Sequence, residues 1–177
     1  MRELGGGPFG AIVVKDDKIV GVGMNKVTRK NDPTAHAEIQ LLRKAGEQQK
    51  NYRLIGSTIY VTLEPCTMCF GAMVHARIER IVFGASDPKT GVCGSCINLN
   101  KENFFNHKIA ITGGVLEEES SELLRLFFKS RRTLKLLKKS KPIIPSVPAI
   151  NKVICNNSGR LPYFTLKLLF AKFVSIS

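Results

Sequence analysis

Two short stretches constrain this chain more than anything else in it: Thr34-Ala35-His36-Ala37-Glu38 and Glu64-Pro65-Cys66-Thr67-Met68-Cys69. Together they supply an imidazole, two thiols and a carboxylate. A zinc ion takes four ligands tetrahedrally, and a catalytic site usually draws three from the protein and leaves the fourth to water. His36, Cys66 and Cys69 are the candidate three, which leaves Glu38 free to move protons. Both stretches read as helix beginnings. Asp32-Pro33-Thr34 offers a cap and a first-turn Pro before the periodic run Ile39, Leu41, Leu42, Ala45, and Pro65 opens a run through Met68, Ala72, Met73 and His75. At i and i+3, Cys66 and Cys69 share a helical face. His36 and Glu38, at i and i+2, do not. One site uses both only if it sits end-on, at the tip of the helix. Two helix N-termini aimed at one point also favour a thiolate and an anion such as hydroxide.

Each motif alone says little. A Cys-x-x-Cys pair is often redox-active or half of a structural zinc site, and His-x-Glu by itself carries almost no signal. Combined, His-x-Glu followed by Pro-Cys-x-x-Cys resembles the signature of the zinc nucleobase deaminases. The expectation is a hydrolytic zinc centre.

The length of 177 residues suits one domain with a sizeable core, and 44% hydrophobic with 23% charged residues is a globular composition. The five Cys (Cys66, Cys69, Cys93, Cys96 and Cys155) are odd in number and clustered, which argues against a secreted disulfide framework and for a reducing compartment. No signal peptide opens the sequence and no apolar run approaches membrane-spanning length, so a cytoplasmic protein without a membrane is expected. The net charge of +13 is unevenly spread. Through Glu122 there are 15 Lys and Arg against 14 Asp and Glu, and beyond it 12 bases and no acid. A one-sided basic segment reads as a footprint for a polyanion such as a phosphate backbone, or as a solvated basic helix and tail.

In chain order, Gly5-Gly6-Gly7-Pro8 leads into a strand over Phe9 to Val14, and Asp16-Asp17 turns it into a second from Lys18 to Val22. The glycines lack the spacing of a phosphate loop and read as turn residues. Further strands are expected at Ser57 to Thr62, Arg80 to Gly84 and Lys108 to Thr112, with a long helix from Glu117 to Lys139. Its acids come first and its bases last, as the helix dipole favours. Strands separated by helices predict an α/β layered domain over residues 1–140, with the metal at the strand-end rim. Residues 141–177 change character: Pro142, Pro145 and Pro148 forbid a continuous helix, and an apolar tail from Leu161 to Ser177 follows. No chemistry is assigned to that linker and tail.

Asn31 through Glu38 is similar to several base deaminases, guanine deaminases included, as is Gly6-Gly7-Pro8-Phe9-Gly10. More specific to one subfamily are Asn51-Tyr52-Arg53-Leu54-Ile55 and Tyr60 through Cys66 with Gly71-Ala72-Met73. Val82-Phe83-Gly84-Ala85, Asp87, Lys89-Thr90-Gly91, Asn106-His107 and Phe127-Phe128 continue it. From about Gly7 to Lys139 the chain is similar to the bacterial-type tRNA-specific adenosine deaminases. That resemblance implies a three-layer α/β/α cytidine-deaminase-like fold with a five-stranded mixed sheet, acting as a homodimer on the wobble adenosine of a tRNA anticodon stem-loop. It implies one Zn²⁺ per subunit on His36, Cys66 and Cys69, with Glu38 as proton shuttle. Asn25, the backbone at Ala37 and Asp87 would meet the base, and Lys129, Arg131 and Arg132 the tRNA phosphates.

Three departures from the family pattern set further expectations. The family has a helix before its first strand, and this chain starts only a few residues before Phe9, so the first helix is expected to be missing. The tail Leu161 to Ser177 offers a substitute cover for the sheet. Val27 stands where the family often has Pro, which is expected to loosen the base-contacting loop. Cys93-Gly94-Ser95-Cys96 is an extra thiol pair, read as incidental to its loop, with a second metal or a redox switch as the rivals. His75 and His107 are expected to be structural or RNA-facing, and Cys155 a free thiol. The competing functions are a guanine or nucleoside deaminase acting on a small molecule, and a non-catalytic or decayed RNA-binding relative.

Overall fold

A computed structural model of the chain describes residues 7–139 and 169–173. The Pro-containing stretch, Cys155 and most of the apolar tail lie outside the described residues. Strands β1 (Gly10–Lys15), β2 (Lys18–Met24), β3 (Ser57–Leu63), β4 (Arg80–Ala85) and β5 (Ala110–Thr112) form one sheet in the order β2-β1-β3-β4-β5. β1 pairs antiparallel with β2 and β3, whereas β3, β4 and β5 run parallel, so the sheet is mixed as expected. β5 is shorter than the expected Lys108 to Thr112. The Asn100 side chain accepts the Ile109 amide and the Lys108 ammonium donates to the Asn100 carbonyl, which holds both residues off the ladder.

Among the described residues the sheet is joined by helices α1 (Val27–Lys30), α2 (Ala37–Gln49), α3 (Thr67–His75) and α4 (Glu117–Lys139), with residues 169–173 also helical. Alternation along the strands divides the core in two. One face carries the cross-strand rows Ala11, Val61, Phe83 and Val13, Ile59, Ile81, buried under Leu41 and Ala45 of α2 and Phe70 and Met73 of α3. The other face carries the row Ile12, Tyr60, Val82. That row meets Leu123 of α4 and, from the far end of the sequence, Leu169, Phe170 and Phe173. The Tyr60 and Phe173 rings lie 6.0 Å apart, and Phe173 is fully buried. The described part of the apolar tail therefore lies on the sheet face opposite α2 and α3.

Parallel connections bring the C-terminal ends of β3 and β4 together at one rim. The loop from β2 also arrives there, because β1 begins beside the end of β3. At Gly23 of β2 a side chain would strike the Ala37 carbonyl and Leu41, so the glycine allows the start of α2 to lie directly on the sheet.

Candidate metal centre and base pocket

His36 is the N-cap of α2 and Cys66 the N-cap of α3, both with extended backbone. This shifts the expected helix starts. Asp32 does cap, but it caps a separate turn, accepting from the Thr34 amide at 2.8 Å and the Thr34 hydroxyl at 2.6 Å. α2 begins only at Ala37. The end-on geometry expected from the His-x-Glu spacing is what the fold provides: the imidazole stands at the helix tip and Glu38 in its first turn.

The Nδ1 atom of His36 lies 3.7 Å from the Cys66 sulfur and 3.6 Å from the Cys69 sulfur. The three ligand atoms all fall within 4.8 Å of one another. Zn–S bonds of about 2.3 Å and Zn–N bonds of about 2.0 Å at a tetrahedral angle require an N···S edge of roughly 3.5 Å. The residues present fit a tetrahedral zinc with one position left open. Among the described residues this is the only such cluster, and Cys93 and Cys96 form no second one.

The electrostatics suit a cation. A hydrogen bond from the Cys69 thiol, aided by the His36 imidazole and the amides opening α3, outweighs burial and holds the Cys66 thiol down to about 5. Cys69 is pushed the other way, by bonding to that thiolate, by burial and by the nearby Glu38 carboxylate. The two sulfurs thus share one negative charge until a metal takes the second proton's place. Burial pushes the Glu38 carboxyl up from its ordinary range.

A cavity of about 150 Å³ opens onto the cluster, lined by His36, Ala37, Glu38, Cys66, Asn25 and Asp87 among others. At about 30 Å³ per water it has room for about five waters or one planar heterocycle. Every residue expected to meet the base lines it. Asn25 is also pinned: its amide donates to the Phe9 carbonyl at 3.1 Å, and its Oδ1 accepts the Val27 amide at 3.0 Å. The Val27 N–H thus makes a bond that a Pro at this position has no hydrogen to make. Partial burial alone would raise the Asp87 carboxyl, but bonds from the Thr90 hydroxyl and the Lys89 and Thr90 amides outweigh it and leave it below the usual value.

Lys129, Arg131 and Arg132 are exposed on α4 and do not line the cavity. Phe9 lines the cavity and packs edge-on against Phe128, 6.0 Å between centroids, one residue before Lys129. Sequence reasoning missed Phe9, Thr62, Glu64 and Thr90 as pocket residues. The only local hint was Glu64, a charged residue between an apolar strand and the Pro-Cys pair. His107 is structural, its Nε2 lying 2.7 Å from the Ile78 carbonyl.

A mixed five-stranded sheet that sets a His, Cys, Cys triad and a carboxylate at two helix tips defines a deaminase of the cytidine-deaminase-like class. Comparison with known proteins narrows this. The chain is 51% identical over 140 residues to a tRNA-specific adenosine deaminase of Haemophilus influenzae, covering 78% of this chain and 81% of that one. A solved structure from studies of A-to-I editing by tRNA:A34 deaminases at the wobble position matches with a TM-score of 0.64 and 42% identity, over 66% of this chain and 85% of the other. The guanine deaminase of Nitrosomonas europaea matches with a TM-score of 0.58 and 25% identity, over 71% and 75%. Residues 2–132 match the model of the MafB19-like deaminase family. The chain belongs to the MafB19-like deaminase family, and by its identity to those relatives it is a tRNA-specific adenosine deaminase.

Proposed function

We propose that this chain hydrolyses adenosine to inosine at the wobble position of a tRNA anticodon, as a cytoplasmic homodimer holding one Zn²⁺ per subunit on His36, Cys66 and Cys69. The observation that carries the reading is Glu38 standing in the first turn behind the His36 cap, on the wall of the cavity that the triad opens into. When bound, zinc supplies Lewis acidity that makes water a nucleophile at neutral pH. Glu38 would carry a proton from the attacking water to N1 of the adenine ring. The same carboxylate would then take the remaining proton from the hydroxyl now on C6 and pass it to the departing amino group as the C6–N bond breaks, so adenosine and water become inosine and ammonia with protons balanced. Asn25, the Ala37 backbone and Asp87, which line the cavity with His36 and Cys66, would hold the base. A base reaches such a cavity only when unstacked, which an anticodon loop permits at low cost. The exposed bases Lys129, Arg131 and Arg132 on α4, which follow Phe128 in sequence, would take phosphates flanking the extruded nucleotide.

A small purine is the rival substrate, given the likeness to a guanine deaminase. Purified protein is therefore offered an anticodon stem-loop with A at the wobble position and, separately, free guanine. Inosine in the stem-loop with guanine untouched is the expected result. Xanthine from guanine with an unaltered stem-loop would replace this reading with the rival.

A further inference from the structure

Glu64 has no part in the proton chemistry above, yet it is 3% exposed. A buried carboxylate is costly unless it is paired or hydrogen-bonded. Among the described residues it forms no ion pair. Three backbone amides satisfy it instead. Asp87 donates to Oε2 at 3.0 Å, and Cys93 and Ser95 donate to Oε1 at 2.8 and 3.1 Å. All three lie on the loop that follows β4. The same loop is tied to the metal-ligand segment by the Val92 amide donating to the Pro65 carbonyl at 3.1 Å, and by a bridge between Cys66 and Gly91. Gly91 makes this closeness possible, because a Cβ there would collide with the Glu64 carboxyl group. The loop's first turn is built on Asp87. Its Oδ2 accepts the Thr90 hydroxyl at 2.6 Å and its Oδ1 the Lys89 and Thr90 amides at 3.0 and 3.2 Å. Asp87 and Thr90 both line the cavity.

We infer that Glu64 is a positioning residue for the substrate base: its carboxylate anchors the 87–95 loop to the end of β3 and so sets the Asp87–Thr90 turn as one wall of the pocket. The inference rests on the proposed deamination only for its kinetic consequence. Both oxygens accept backbone N–H groups, and the nitrogen of a carboxamide has no lone pair with which to do the same. In Glu64→Gln the volume is kept, but one bond to the loop becomes a donor facing a donor.

Two measurements test it. Hydrogen exchange needs no substrate: the Asp87, Cys93 and Ser95 amides should be protected in the parent and exchange at least about tenfold faster in the variant. Rapid exchange at these amides in the parent would overturn the inference even if the chain deaminates tRNA. In kinetics with the stem-loop, Glu64→Gln should raise KM about tenfold with zinc content unchanged and kcat altered less. Adding Asp87→Ala should cost little more than Asp87→Ala alone, because both changes release one wall. Additive losses, or loss of zinc from Glu64→Gln, would show that Glu64 acts elsewhere. Should that variant fail to fold, Gly91→Ala, whose Cβ would meet both the Glu64 carboxyl group and the Asp87 carbonyl, should speed exchange at Cys93 and Ser95 as well as at Asp87. Unchanged exchange in a folded Gly91→Ala protein would count against the inference. Failure of the parent to act on the stem-loop, with the three amides protected, would remove the substrate and leave the anchor standing.

Discussion

The two faces of the sheet are built differently. The face under α2 and α3 joins stability and chemistry: the helices that bury Leu41, Ala45, Phe70 and Met73 carry the metal ligands at their tips. The opposite face holds no part of the triad. It is covered by α4 and by Leu169, Phe170 and Phe173, which lie far away in sequence from the strands they shield. One face therefore couples any change in helix position to the metal, whereas the other should be alterable in stability with the reaction left intact.

The largest expected effect comes from the first face. Glu38→Ala should lower turnover by about 10² to 10⁴, the range for a positioned acid–base group. Its zinc content and unfolding midpoint should stay near the parent's, as read by elemental analysis and denaturant titration. Retained turnover would remove the assigned shuttle. Phe173→Ala sharpens the contrast from the other side. Truncating a buried Phe typically costs about 3–5 kcal/mol. Denaturant unfolding should show a loss of that order, while kcat/KM per folded molecule holds. A variant as stable as the parent would mean that the tail contact contributes nothing.

A smaller effect is expected where α4 leaves the sheet. Replacing Arg131 and Arg132 together with Ala should weaken stem-loop binding about tenfold and reduce the slope of log K against log salt by about 1 per lost phosphate contact. An unchanged slope would place the phosphates elsewhere. The most modest prediction concerns the thiols. Because the Cys69 proton is held above its ordinary range and must leave when the metal arrives, zinc affinity should rise with pH through neutrality. Calorimetry in buffers of different ionisation enthalpy should find about one proton released per zinc at neutral pH. Release of none would contradict the shared charge described for Cys66 and Cys69.

Much of the first face was legible in the sequence because its signals are local. The periodic run of α2, the apolar strand ahead of Pro65 and the His-x-Glu and Cys-x-x-Cys spacings each report on a few adjacent residues. The helix starts were misplaced because Asp32-Pro33-Thr34 looks like a cap and serves a separate turn. α4 was legible from end to end, its acids and bases sorted along the dipole. The role of Glu64 was not, since its partners are amides 23 to 31 residues downstream and an amide leaves no mark in a sequence. The seating of Phe173 against Tyr60 was legible only as an apolar stretch in want of a surface.

Water labelled with ¹⁸O puts the central chemistry to its most direct trial. With zinc-loaded protein and an anticodon stem-loop in that solvent, the account predicts inosine at the wobble position carrying one heavy oxygen at C6, and none from Glu38→Ala. Unlabelled inosine, or an adenosine left intact by protein with a full complement of zinc, would contradict it.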